Sequence, residues 1–236
     1  MHADSCYVTL TFDDQYLPED YGVHVRDLQL FFKRLRKSLG SKKIKFFACG
    51  EYGDENLRPH YHSIIFNHDF LDKKLFTTKK GIKLFTSDSL QKLWPYGHTT
   101  TGSVTYQSAA YVARYTISKV LDGRAADHYQ RIHPLTFKQH QVHPEFMLCS
   151  RRPGIGATWL EQYKSDVFPS DFLIVDGKKV PIPKFYTQRL QEAEAIKLKR
   201  ARRAQANKKR ADNTPARLKV RELVLEGRIK QLKREL

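Results

Sequence analysis

Two histidines flank a tyrosine in the run His60-Tyr-His-Ser-Ile-Ile-Phe. The run is aromatic and β-branched, which reads as a strand, and in a strand residues i and i+2 point to the same face. His60 and His62 therefore present two imidazoles side by side, and Tyr61 points the other way. Glu51 ends the preceding apolar run, Ile44-Lys-Phe-Phe-Ala-Cys-Gly-Glu. A loop from Tyr52 to Pro59 can fold that strand back and set the carboxylate beside the pair. Two imidazoles and one carboxylate suit Mn²⁺, or Mg²⁺ with retained waters, and leave positions open for water or phosphate. A closed structural zinc site needs a fourth ligand, usually Cys, and none is near. The plainer alternative is two satisfied histidines on a half-exposed strand. The other eight histidines show no such pattern and read as surface residues. Further along, Tyr111, Tyr115 and Lys119 recur every four residues in a helical pattern, drifting by about 40° per step, so they form one stripe. A phenol attacks poorly until it loses its proton, and a nearby cation such as Lys119 or a metal assists that loss. The alternative is an ordinary packing stripe.

The elements that must position these groups are readable. Cys6-Tyr-Val-Thr-Leu-Thr-Phe is a strand. Val25 to Leu39 carries apolar residues at helical spacing with basic residues between them, and Gly40 ends the helix. Ser87 to Trp94 reads as a short helix stopped by Pro95, Thr99 to Tyr106 as a strand, and Ser108 to Val120 as the helix with the tyrosines. The order β-α-β-β-(α)-β-α predicts an α+β domain, an antiparallel sheet with helices packed on it. Asp176-Gly177 between two short apolar runs predicts a hairpin turn. The expected organisation is a domain over 1–150, a small α/β extension over 151–186 and a basic helical tail over 187–236.

The chain of 236 residues has 40% hydrophobic and 12% aromatic residues, enough for a core. It has no run of eighteen apolar residues and no basic-then-apolar leader, so neither a membrane span nor a secretory signal is expected. Cys6, Cys49 and Cys149 make no pair pattern, which fits a reducing compartment. Lys and Arg number 42 against 25 Asp and Glu, a net charge of +17. Sixteen of those cations and six of the acids fall between Arg189 and Leu236, giving about +10 there. Such a surface attracts polyanions, nucleic acid before membrane. Asn213-Thr-Pro-Ala breaks the tail into two helices, with Thr214 as cap and Pro215 in the first turn. The tail reads as a solvated helical pair or as a sequence-independent phosphate binder, and less well as a membrane-surface helix, because its apolar face is thin and lacks aromatics. No GxxxxGK[ST] loop is present, and Gly154-Ile-Gly156 reads as a turn.

Thr9-Leu-Thr, then Arg58-Pro-His-Tyr-His, then Tyr111-Val-Ala-Arg-Tyr-Thr-Ile-Ser-Lys, with Glu51 between the first two, resemble the motifs of the HUH endonucleases, the rolling-circle replication initiators and relaxases. The two-tyrosine form is similar to the replication initiator of the Microviridae, the gokushovirus branch above all. The similarity runs on through Ser150-Arg-Arg-Pro-Gly-Ile-Gly, Tyr163-Lys-Ser-Asp and Asn213-Thr-Pro-Ala-Arg-Leu, so it covers most of the chain. Two departures stand out: Tyr61 occupies a position that is usually large and apolar, and the chain starts almost on its first strand, where similar initiators carry an N-terminal segment. The resemblance implies a metal held by Glu51, His60 and His62 and nucleophilic attack by Tyr111 or Tyr115 with Lys119 assisting. It implies a 5′-phosphotyrosine link to single-stranded origin DNA, a 3′-OH for a host polymerase, and rejoining without ATP. A host helicase is an implied partner, and the implied location is the cytoplasm of an infected bacterium. Arg58, Arg114, Arg151 and Arg152 are candidate DNA contacts. The competing readings are a basic single-stranded-DNA binder without chemistry, a metal hydrolase using water, and a single-tyrosine relative.

Overall fold

The first strand, β1 (Ser5–Thr11), is paired on both sides, so its alternate residues must be buried on one face of a sheet or the other. The computed structural model describes the chain apart from residues 1, 3, 54–55, 80, 115–119, 121–122 and 232–236, with the backbone alone for 79 and 114. After β1 come α1 (Val25–Leu39), β2 (Lys45–Tyr52), β3 (Pro59–Phe66), β4 (Lys73–Lys79), β5 (Ile82–Ser87), α2 (Asp88–Leu93), β6 (Thr99–Ser103) and α3 (Tyr106–Arg114). Then follow α4 (Ala125–His128), β7 (Gln130–Ile132), β8 (Gln139–Gln141) and β9 (Phe146–Cys149). Seven strands form one antiparallel sheet in the order β4-β5-β6-β1-β3-β2-β9, and β7 pairs with β8 apart from it. This is the expected α+β architecture.

The two faces of the sheet do different things. On one, Cys6, Val8, Leu10, Ala48, Tyr61 and Ile65 join Leu28, Phe31, Phe32 and Leu35 of α1 in the main core. Burial of each of those four α1 side chains contributes about 1.5–3 kcal/mol, which is why the amphipathic period fixed the helix limits. Gly40 follows α1 at φ 60, a conformation that favours glycine. Tyr61 faces this side as expected. Its hydroxyl donates to Asp27 Oδ2 at 2.6 Å and accepts the His24 N–H at 2.9 Å, holding the first turn of α1. On the opposite face, Tyr7, Cys49 and Ile64 pack with Val112 of α3.

Three local expectations change. The strand after Thr99 ends at Ser103 and α3 begins at Tyr106, because Thr105 and Ser108 exchange caps: Ser108 N–H donates to Thr105 Oγ1 (3.1 Å) and Thr105 N–H to Ser108 Oγ (2.8 Å). The β4–β5 hairpin was not expected, since its lysines and threonines blur the alternation of an edge pair. His133 is not a surface residue, being 4% exposed.

A second compact unit starts at Gly156. It contains α5 (Ala157–Val167), the hairpin β10 (Phe172–Val175) and β11 (Lys178–Pro181), α6 (Lys184–Thr187), α7 (Glu192–Lys208) and α8 (Pro215–Lys230). Leu160, Val167 and Ile182 are its buried core. Asp176 and Gly177 turn the hairpin with φ of 49 and 72, as Asp-Gly predicts. Gly156, the N-cap of α5, has φ 78, and a Cβ there would lie 2.8 Å from the Tyr186 hydroxyl. Thr214 caps α8 by accepting the Arg217 N–H. Neither α7 nor α8 buries a residue.

Candidate metal centre and nucleophile

Register assembles the centre. The antiparallel pairing of β2 with β3 sets Glu51 opposite His60 and Cys49 opposite His62, while β1 sets Thr9 opposite His62 on the other side. Directly opposed residues share a face, so Glu51, His60, His62 and Thr9 converge. Glu51 Oε1 lies 2.6 Å from His60 Nε2 and 2.8 Å from His62 Nε2. One ligand atom from each residue falls within 4.8 Å of the others.

The two imidazoles are oriented by their far nitrogens. His60 Nδ1 donates to the Arg58 carbonyl at 3.0 Å, which turns Nε2 towards Glu51. His62 Nδ1 lies 2.5 Å from the Tyr7 hydroxyl and 3.0 Å from Thr9 Oγ1. The Tyr7 ring stacks on His62 with centroids 5.4 Å apart. Burial raises the Tyr7 phenol well above its ordinary pKa, keeping it neutral as a hydrogen-bond partner. Burial also holds His62 below the usual imidazole range, outweighing the attraction of Glu51, so it favours the neutral form that binds metals. For Glu51, burial alone would raise the carboxyl pKa, but the two imidazoles bring it below the ordinary value.

These residues fit a divalent ion. Glu51 is 1% exposed, and its Oε2 has no hydrogen-bond partner among the described residues. A buried carboxylate oxygen left so is costly unless a cation takes it up. The donor set of two imidazole nitrogens and a carboxylate is the kind that Mn²⁺ or Mg²⁺ accepts with other positions open.

Tyr111 lies on α3 beside this cluster. Its ring meets that of His62 edge-on, with centroids 5.4 Å apart. Val112, fully buried against the Tyr7, Cys49 and Ile64 patch, fixes the helix there. Tyr115 and Lys119 lie outside the described residues, as does the side chain of Arg114. Arg58 is engaged inside the protein: Nε and Nη2 donate to the Phe12 carbonyl, and Nη1 lies 2.7 Å from Asp14. Arg151 and Arg152 are exposed just after β9.

Sequence reasoning missed the partners that orient the centre. Tyr7 and Thr9 alternate in β1, but their meeting with His62 depends on strand register. It also missed a buried clamp on Val120. The Val120 N–H donates to the Tyr129 hydroxyl at 3.1 Å, and that hydroxyl donates to Glu145 Oε2 at 2.6 Å.

Residues 5–120 match the family model described as replication-associated protein ORF2. Replication-associated protein VP4 of Bdellovibrio phage phiMH2K is 34% identical over 195 residues, which is 79% of this chain and 58% of that protein. Replication-associated protein ORF2 of Spiroplasma virus 4 is 30% identical over 201 residues, 78% of this chain and 57% of that protein. Replication-associated protein ORF4 of Chlamydia phage 1 is 33% identical over 133 residues, 52% of this chain and 32% of that protein. The chain thus spans less than two thirds of the length of these relatives. No solved structure matches it.

Proposed function

From its place among the replication-associated proteins of Microviridae-like phages, the family to which this chain belongs, we propose that it initiates replication by nicking and rejoining a single strand of origin DNA. The observation that carries the reading is the Tyr111 ring against His62 of the Glu51–His60–His62 cluster. Glu51, His60 and His62 hold a divalent ion, Mg²⁺ or Mn²⁺. When bound, the ion polarises a non-bridging oxygen of the scissile phosphate and offsets charge in the transition state.

The Tyr111 or Tyr115 phenol attacks phosphorus in line. Its oxygen forms the new P–O bond as the P–O3′ bond breaks. The phenol proton leaves to water, and the departing 3′ oxygen takes one up. The products are a 5′-phosphotyrosine and a 3′-OH that a host polymerase extends. Because the ester conserves the bond, rejoining is the same step reversed. Lys119 stabilises the phenolate or the phosphate. A host helicase opens the duplex. The basic surfaces of α7 and α8 guide the strand, and Arg114, Arg151 and Arg152 add phosphate contacts. Arg58 serves first as a fastener of the loop ahead of His60.

Denaturing gels with end-labelled single-stranded origin DNA and Mn²⁺ test this. The expected result is a band linked to protein on the 3′ fragment, lost with EDTA and lost when Tyr111 and Tyr115 are both changed to Phe. Cleavage without a linked band would assign the attack to water. Binding without cleavage would favour the second reading, a non-catalytic single-strand binder, for which the exposed basic helices α7 and α8 are the supporting observation.

A further inference from the structure

The β7–β8 hairpin ends in a tip that displays apolar side chains to water and buries its histidine. Ile132, Leu135 and Phe137 are 63%, 55% and 79% exposed, whereas His133 is 4% exposed. Phe137 has φ 56, a left-handed conformation that a bulky residue rarely adopts. Hydrogen bonds to His133 and Lys138 hold it there. Phe137 N–H donates to the His133 carbonyl and His133 N–H to the Lys138 carbonyl, both at 2.9 Å. His133 Nδ1 accepts from the N–H groups of Leu135 (3.2 Å) and Thr136 (3.3 Å). Strained backbone persists where the surroundings over-determine it, and it gathers at functional sites.

Here it does gather. Tyr21 and Leu57 also have left-handed backbones, with φ of 58 and 49. The Tyr21 ring stands edge-on to His133 at 5.7 Å, and its hydroxyl donates to the Asn56 carbonyl, next to Leu57. Asn56 and Leu57 lie in the loop that joins the strands of Glu51 and His60. The root of the hairpin is fastened at the same end of the sheet. Arg131 lies over the ring of Tyr52, the neighbour of Glu51, at 5.4 Å, and the Tyr52 hydroxyl donates to the His143 carbonyl at 2.7 Å. Between Asp127 and the buried Glu145 the hairpin contains no Asp or Glu, and Lys138 is its exposed cation, Arg131 being buried over Tyr52. An exposed ring on a hairpin fastened to the loop between the strands of Glu51 and His60, in a segment without carboxylates, suits a nucleic acid strand better than a protein or lipid surface: unstacked bases need a flat apolar platform and the phosphates tolerate no nearby acid.

We propose that the tip is a base-stacking element, with Phe137 packing on an unstacked base of the single strand that enters the Glu51–His60–His62 site and with Ile132 and Leu135 beside it. This rests on the nicking reading. The test is fluorescence anisotropy of the full chain with a labelled, mixed-sequence single-stranded oligonucleotide, in EDTA so that nothing is cut. Phe137→Gly removes the ring and relieves the left-handed backbone, so its melting temperature is expected to be no lower than that of the parent. Its dissociation constant is expected to rise about tenfold, with Phe137→Trp restoring tight binding. Against an abasic strand of equal length the parent and Phe137→Gly are expected to bind alike. The proposal is overturned if Phe137→Gly binds the mixed-sequence strand like the parent, or if it loses the abasic strand equally. It is also overturned if the variant changes only the oligomeric state, which would make the tip a protein contact. The readout needs no cleavage. Failure of the parent to cut DNA while Phe137 still governs binding would therefore sink the nicking reading alone, and normal cutting with no Phe137 effect would sink the tip alone.

Discussion

At the scale of single residues, the centre depends on groups outside the Glu51–His60–His62 set. Tyr7 and Thr9 hold His62 by Nδ1, so that Nε2 faces Glu51. Partners of this kind commonly account for 10–100-fold in metal affinity. Changing Tyr7 to Phe together with Thr9 to Val is therefore expected to weaken Mn²⁺ binding by about 10–100-fold, read by electron paramagnetic resonance titration of the free ion. Unchanged affinity would mean that His62 needs no such support. Glu51, His60 and His62 were legible because a period of two in one strand and an acid ending another need nothing but local spacing. Tyr7 was not legible in that role, because its contact with His62 spans 55 positions and exists only in the β1–β3 register. Arg58 was legible only as a charge; its hold on Phe12 and Asp14 required the fold.

At the scale of elements, caps decide where helices begin and clamps pin the chain between them. Asp72 accepts hydrogen bonds from Ser87 Oγ, Ser89 Oγ and Ser89 N–H at the start of α2. The Ser87 hydroxyl above all holds its carboxyl well below the usual range. A carboxylate with a lowered folded pKa stabilises the protein above its unfolded pKa, near 4, and loses that contribution as pH falls through the folded value. Asp72→Asn is thus expected to cost about 1–2 kcal/mol at neutral pH, with the gap to the parent closing as pH drops below about 4, as followed by chemical denaturation. A pH-independent gap would contradict the assignment. In the clamp on Val120, Tyr129→Phe leaves the Val120 N–H and the buried Glu145 without that hydroxyl. A loss of about 1–3 kcal/mol is expected, with faster hydrogen exchange at the Val120 amide; unchanged exchange there would remove the clamp from the account. Of these elements, α1 was readable to the residue because its four buried side chains follow the helical period without a break. The β4–β5 hairpin was not, because an edge pair rich in Lys and Thr carries little apolar alternation.

At the scale of the whole molecule, charge and membership set the frame. The net +17 is concentrated towards the C-terminal end, on helices that bury nothing. Among the described residues no helix is long and apolar enough to cross a membrane. Lys197, Lys199, Arg200 and Arg203 are exposed on α7. If each meets a phosphate of a single strand, replacing all four with Gln lowers the slope of log K against log salt by about 3. The measurement is anisotropy across a salt series. An unchanged slope would leave α7 a solvated helix, the other reading its sequence allows. Composition supports the expectation of a polyanion partner, but it could not choose between DNA guidance and mere solvation, because that choice lies in contacts and not in counts.

The proposed function turns on one step, the joining of a tyrosine of α3 or of the segment after it to DNA. The most direct measurement is peptide mass spectrometry of the protein after reaction with single-stranded origin DNA and Mn²⁺, followed by nuclease and protease digestion. The expected result is a nucleotide remnant attached through a 5′-phosphate to Tyr111 or Tyr115, absent when EDTA is present from the start. Cleaved DNA bearing a free 5′-phosphate, with both tyrosines unmodified throughout the reaction, would contradict it.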